Sequence, residues 1–443
     1  MKIQTVVTQV ADAVRGPVMA MGGLPDASAN AEFDAVLSGG LIHAVYQPII
    51  ALGGGQTVGY EALARGPADS AFASPELLFR HAAQTGRLAE LDRACGLAAF
   101  RGALAAGMPR RVPLFVNVEP TTLRTAPPQE VLEVHEAALA HLHIVVELTE
   151  RSLSADPAAL LAAILALRGR SIRIALDDVG ADPTSLAMMP LLSPDVIKLD
   201  RSIVQGPVTP AVSAVVNAVL AESERTGAAV LAEGIETPHH LAIARSMGAT
   251  LGQGWLFGRP GPLPDTFATA DLVLAQVDAP TATADTPFAV ARKHRPVIRT
   301  TKQMLKCLSR HLENKCLQLA ESTVLMASFQ HVRNFDGHAR QRYRRLAAEC
   351  VFTAVFAQGV PALPTAGIRG GPLQPDDPLI NEWTVVVLGA HFAGGLFAFD
   401  RGGPGEHDDR EFDFVLTYDR DVVIEAAQPL LHRLVPADPE TYW

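Results

Sequence analysis

A chain of 443 residues with 48% hydrophobic side chains can bury more than one core, and its length favours two or three domains. Its 37 basic and 47 acidic side chains leave a formal net charge of -10, which argues against a nucleic-acid footprint spread over the whole surface. Cys95, Cys307, Cys316 and Cys350 include no C-x-x-C pair, so no disulfide framework is expected, and free buried thiols in a reducing cytosol are the plain reading.

The N-terminal stretch "MKIQTVVTQVADAVRGPVMAMG" is interrupted by Asp12 and Arg15 before an apolar core of signal-peptide length, and no segment is long enough to span a bilayer. A cytoplasmic location with no membrane partner is expected. From about residue 40 onward, short apolar runs alternate with Ala/Leu-rich segments at helical period. The strand candidates are "AVYQPII", "VPLFVNV", "IVVEL", "IRIALDD", "VIKLD" and "AAVLAEG". Between them, "SPELLFRHAAQTGRLAELDRACGLAAFRGAL", "PQEVLEVHEAALAHL", "DPAALLAAILALRG" and "AVSAVVNAVLAESERTG" read as helices, with Ser74 and Asp156 as caps before Pro75 and Pro157. Continuous Val/Ile/Leu strands fit a parallel sheet covered on both faces.

Serial β-α units without a Gly-rich phosphate loop favour a closed eight-stranded α/β barrel, a TIM-like (β/α)8 fold, over residues 30–270, after an N-terminal extension at 1–29. "AVYQPIIALGGGQTVGYEALAR" reads as two strands around a turn at Gly53 to Gly55, so one pairing near the barrel's start is expected to be antiparallel. The segment 271–292, with "DAPTATADTP" at 278–287, has linker composition. Beyond it, over 293–436, "TTKQMLKCLSRHLENK" and "GHARQRYRRLAAECVFTAVFAQ" read as helical, and "ESTVLMASFQ", "TVVVLGAHFAGGLFAFD" and "FDFVLTYDRDVV" as strands. That predicts a smaller second α/β or α+β domain.

In a β/α barrel the functional side chains sit at the carboxyl ends of the strands. Here those ends carry Glu61, Asn117, Glu147 with Glu150, Asp177 with Asp178, Lys198 with Asp200, and Glu233 with Glu236. Any one such acid reads equally well as a helix cap or a solvated loop residue, and Lys198 alone as an ion-pair partner. Six successive ends of this kind point to chemistry. Carboxylates converging on one mouth repel one another unless cations sit among them, and all-oxygen donors select Mg2+ or Mn2+. The adjacent pair Asp177 and Asp178 would let one carboxylate bridge two ions, an arrangement suited to attack on a phosphodiester, with Lys198 steadying the nucleophile or the developing charge.

These residues resemble the EAL-domain family, the phosphodiesterases that linearise the bacterial messenger cyclic di-GMP. "YQPII", "GYEALAR", "FVNVEP", "ELTER", "ALDDVG", "IKLDRSIV", "AEGIET" and "GQGWLFGRP" stand in the family's order. The resemblance implies that Glu61, Asn117, Glu147 and Asp177 hold one metal ion, and that Asp177, Asp178 and Glu233 hold a second. It implies Lys198 as the residue orienting the nucleophilic water, with Asp200 nearby and Glu233 sharing the catalytic centre. Arg65 would grip a phosphate, Gln47, Gln253 and Pro260 would line the pocket, and Glu150 would tether the loop after Asp178. That loop departs from the family's usual D-D-F-G-x-G-Y-S-S-L: Val179 replaces Phe, and Asp182 and Pro183 replace Gly-Tyr. Barrels of this family also pair as homodimers.

Residues 293–436 resemble a DICT sensory domain through "KQMLKCLSRHLE", "ASFQHVRNF" and "ARQRYRRLAAECVFTAVF", which implies an unknown ligand or protein partner there. Arg340, Arg342, Arg344 and Arg345 read as the solvated face of a helix more readily than as a polymer contact. The expected function is hydrolysis of cyclic di-GMP to linear pGpG with two Mg2+ or Mn2+ ions, regulated by the C-terminal domain. The alternative, raised by the altered loop, is a receptor that holds the nucleotide without turnover.

Overall fold

The computed structural model describes residues 27–120, 122–124, 129–149, 157–181, 186–267, 272, 274, 285–319, 321–402 and 409–434. Glu150, Asp182, Pro183, the cap Asp156 and most of the 271–292 segment lie outside the described residues.

Helix α1 (Ala27–Ser38) precedes a closed barrel of eight strands: β1 (His43–Ala51), β2 (Thr57–Arg65), β3 (Pro113–Asn117), β4 (His143–Thr149), β5 (Arg173–Val179), β6 (Val196–Leu199), β7 (Ala229–Ala232) and β8 (Leu251–Gly252). Strand β1 runs antiparallel to both β2 and β8, while β2 to β8 are mutually parallel, as the hairpin at Gly53 to Gly55 predicts. The helices outside the barrel are α2 (Pro75–Gln84), α3 (Leu88–Ala105), α4 (Gln129–His141), α5 (Pro157–Gly169), α6 (Met189–Leu192), α7 (Arg201–Gln205), α8 (Pro210–Thr226) and α9 (Pro238–Ser246). Two expectations need correction. The long segment from Ser74 is two helices, broken where Gly86 adopts φ 69, and Ser74 occupies the cap position without making the side-chain bond. Strand β8 is only two residues long, too short for its periodicity to register.

The barrel is filled by one apolar layer with a residue from each strand: Ile49, Val58, Phe115, Val145, Ala175, Val196, Leu231 and Leu251. Side chains in a strand alternate faces, so residues two positions along from this layer also point inward.

After the barrel come α10 (Pro287–His294), β9 (Ile298–Thr301), α11 (Lys302–Glu313), β10 (Thr323–His331), α12 (Gly337–Ala347), β11 (Cys350–Gln358), β12 (Arg369–Leu373), β13 (Glu382–Gly389), β14 (Ala393–Asp400), β15 (Glu411–Thr417) and α13 (Arg420–His432). They form a seven-stranded sheet in the order β12-β11-β10-β13-β14-β15-β9, with β10, β11 and β12 parallel and the other pairings antiparallel. Both faces are buried, and the strands show it by period two: Leu325 and Ala327 face the cluster of α11 and α12, while Val324 and Met326 face that of α10 and α13. "CVFTAVFAQ" is strand β11 where helix is expected, because a short continuous apolar run does not distinguish a buried strand from a buried helix. Helix α13 takes over at Arg420, inside a segment read as strand, and α10 begins inside the segment read as linker and runs past its end. Of the four cysteines, all free, only Cys316 is buried, and Cys307 is exposed.

The two units touch through α13. Gln428 Nε2 donates to the Leu191 carbonyl of α6 at 3.3 Å, Leu431 sits beside Leu161 and Ile164 of α5, and Arg225 of α8 approaches Asp421 at 3.6 Å. Among the described residues no helix is long and apolar enough to cross a membrane.

Candidate active site at the barrel mouth

Two positions beyond the apolar layer, the same inward faces carry Asn117, Glu147, Asp177, Lys198, Glu233 and Gln253, with Glu61 on β2 and Gln47 on the reversed β1. The alternation that fills the barrel below therefore delivers the polar groups above. Glu61, Glu147, Asp177, Lys198 and Glu233 are all 0% exposed.

Lys198 is the hub. Its Nζ lies 2.9 Å from Asp177 Oδ1, 3.0 Å from Glu233 Oε1 and 3.8 Å from Glu61 Oε1, and it also pairs with Glu147. Burial acts to lower the lysine pKa, but Asp177, Glu147, Glu233 and Glu61 together outweigh it and hold the ammonium well above its ordinary range. Burial first, and then the Glu61 carboxylate, push Glu147 well above the ordinary carboxylate range against the pull of Lys198. Asn117 Nδ2 donates to Glu61 Oε1 at 3.3 Å. Gln253 Nε2 donates to Gln47 Oε1 at 3.0 Å and to Glu61 Oε2, while Gln47 Nε2 donates to the Gly258 carbonyl at 3.1 Å.

Neighbouring residues in a regular strand point to opposite faces, so Asp177 and Asp178 would ordinarily part company. They do not. Asp178 adopts φ 58, and the pairing of β5 with β6 shifts register between Leu176 and Val179. This irregularity brings oxygens of Asp177, Asp178 and Glu233 within 4.8 Å of one another.

The donors fit hard divalent cations. Glu61, Glu147, Asp177 and Glu233 crowd four buried carboxyl groups around the Lys198 ammonium, with Asp178 beside them. A cluster of carboxyl oxygens of this kind is the donor set that hard divalent cations take.

Above the acids the mouth opens into a cleft of about 260 Å³ lined by Gln47, Arg65, Arg201, Trp255, Arg259 and Pro260. The Arg259 guanidinium lies over the Trp255 ring, 4.6 Å from its centroid. Arg201, Trp255 and Arg259 were not among the sequence-derived site residues. "GQGWLFGRP" and the "DRS" after Lys198 carried the signal, since cations and an aromatic ring are what an anionic, base-bearing ligand needs. Asp200 does not join the acid cluster: it caps α7, accepting from the Ser202 amide at 2.8 Å. Glu236 lines the cleft wall.

Fold and site together define an acid-centred (β/α)8 barrel with its polar core at the carboxyl mouth and a cationic rim above it. The chain belongs to the EAL-domain family, whose profile, described as EAL domain, matches residues 30–260. Residues 286–401 match the profile described as a sensory domain in diguanylate cyclases and two-component systems, the DICT domain. The chain is 32% identical over 238 residues to the cyclic di-GMP phosphodiesterase RocR of Pseudomonas aeruginosa, covering 51% of this chain and 59% of that protein. It is 31% identical over 235 residues to the probable cyclic di-GMP phosphodiesterase PdeB of Escherichia coli, covering 51% of this chain and 44% of that one. The chain thus spans little more than half the length of RocR and less than half that of PdeB. Among solved structures it is similar to the PaMucR phosphodiesterase in complex with c-di-GMP, at 25% identity over 53% of this chain and 97% of the other, with a TM-score of 0.46.

Proposed function

We propose that the barrel is a metal-dependent phosphodiesterase that opens cyclic di-GMP to linear pGpG. The observation that carries this reading is the buried acid cluster around Lys198, whose all-oxygen donors suit divalent cations. The relatives at about 30% identity named as cyclic di-GMP phosphodiesterases support cyclic di-GMP as the substrate.

Glu61, Asn117, Glu147 and Asp177 are the residues to hold one Mg2+ or Mn2+ ion, and Asp177, Asp178 and Glu233 the second. Bound there, such ions polarise the phosphodiester and lower the pKa of water. The chain's own groups do the rest. Lys198, kept protonated by its carboxylate neighbours, donates from Nζ to the attacking oxygen and holds it in place. Arg65, Arg201 and Arg259 bind phosphate oxygens from the cleft walls, and Trp255 offers a face for a guanine base. Gln47 and Gln253, bonded to each other and to Glu61, keep that carboxylate aimed inward. Water adds to phosphorus, the 3′ oxygen leaves and takes up a proton, and pGpG results.

Regulation by the C-terminal unit belongs to the same reading. Its α13 rests on α6, the next helix in the chain after the strand end that carries Asp178, so a shift of α13 bears on that side of the barrel. The reading also includes a homodimer and a cytoplasmic location, where a soluble messenger meets it.

The test is pGpG release with Mg2+ or Mn2+, and its loss in Glu61→Ala and Lys198→Ala. Unchanged turnover in those variants overturns the assignment, and tight nucleotide binding with no turnover at high protein concentration converts it to a receptor.

A further inference from the structure

The C-terminal unit carries a cleft of about 380 Å³, larger than the barrel mouth at about 260 Å³ and within the range of small-molecule sites. It opens at the carboxyl end of β10, where the chain crosses over through α12 to the parallel strand β11, the position in an open sheet where ligands gather. Its walls are unusual for a chain of net charge -10. Lys302, Lys306 and Arg310 stand four residues apart on α11 and so share one face, Arg333 enters from the turn after β10, and Arg342 from α12.

Two features show a site prepared in advance. Arg342 Nε is held from behind by the Glu313 carboxylate at 2.8 Å, whose side chain is 2% exposed and whose other oxygen accepts from the Tyr343 hydroxyl at 2.9 Å. Strand β10 carries a bulge between Ser328 and His331, with Gln330 at φ 59, a left-handed conformation that side chains other than glycine adopt at a cost. Asp336, the acid on the lining, is committed to capping α12 through the Ala339 amide at 2.9 Å. Phe329 and Trp383, both half-buried, complete the lining with flat apolar surface. Phe329 is braced by Phe335 and Tyr343, and Trp383 by Phe412.

We propose that this cleft binds a small organic polyanion carrying a flat ring, the chemistry of a nucleotide, with Arg310, Arg333 and Arg342 on the anionic groups and Trp383 and Phe329 on the ring. The inference deepens the reading of this unit as a sensor but does not depend on turnover at the barrel. Calorimetry of the full chain in the absence of divalent metal, with ATP as probe and inorganic triphosphate and adenosine as partial probes, tests it. Saturable ATP binding is expected, tighter than either partial probe and weakening steeply as salt rises. Each of Arg310→Glu/Arg333→Glu and Trp383→Ala is expected to weaken it about tenfold or more. Both variants keep the barrel's basal turnover, so failure here and failure of the phosphodiesterase reading are separate events. No saturable ATP binding, binding unchanged in both variants, or triphosphate binding as tightly as ATP overturns the proposal.

Discussion

Lys198 Nζ and Asp177 Oδ1 stand 2.9 Å apart at the barrel mouth, both side chains 0% exposed, with three more carboxylates around the same ammonium. Removing the cation from such a cluster takes away the ammonium that four buried carboxyl groups share, at a cost of roughly 3–5 kcal/mol. Lys198→Met is therefore expected to unfold well below the native chain in metal-free buffer. Mn2+ should then raise its melting temperature more than it raises that of the native chain. Equal shifts in the two proteins, measured by thermal denaturation, would count against a cation site among these acids.

On the proposed reading the rim arginines act on binding rather than on the chemical step. Arg259→Ala and Arg201→Ala are each expected to raise KM for cyclic di-GMP about tenfold while kcat changes little, because each removes a charge-assisted contact that substrate and transition state share. Trp255→Ala should follow them, and Lys198→Met should instead collapse kcat. Steady-state kinetics on the four variants separates the two behaviours.

Asp92, buried on α3 beside Glu119, has a pKa raised to about 8 by burial first and by the Glu119 charge second. In the unfolded chain this acid ionises near 3.8, so between that pH and about 8 the native state holds up to one proton more than the unfolded state. Stability then falls as pH rises across this window, by about 1.4 kcal/mol per pH unit from this group. Asp92→Asn removes this group's share of the slope while its side-chain oxygen still accepts from the Glu119 amide. The gap between denaturant midpoints at pH 5 and pH 8 should narrow in the variant; a gap as wide as in the native chain would refute this account.

Leu431 of α13 packs beside Leu161 and Ile164 of α5 and is 2% exposed. Leu431→Ala is expected to cost about 2–5 kcal/mol in the C-terminal unit and to change turnover at the barrel. Identical kinetic constants in the variant and the native chain would disconnect the two units.

Much of this molecule was legible in one dimension. The barrel strands from β1 to β7 and the hairpin between β1 and β2 were visible as apolar runs and turns, and six of those runs ended in acids, amides or amines where a β/α barrel places its chemistry. The reason is local: a strand alternates its faces every residue, so an inward apolar position such as Phe115, Val145 or Ala175 marks Asn117, Glu147 or Asp177 two places on as inward too.

Tertiary structure decided what no local pattern encodes. The irregular backbone at Asp178 turns two consecutive aspartates toward one centre, and closure of the barrel makes Lys198 the shared partner of carboxylates from four other strands or strand ends. The same holds for the pairing of Arg259 with Trp255, for "CVFTAVFAQ" as a strand, and for the seating of α13 on α5 and α6. Periodicity along the chain records which face is buried; which distant residues meet, and with what charge, is set only when the sheet closes and the second unit packs against it.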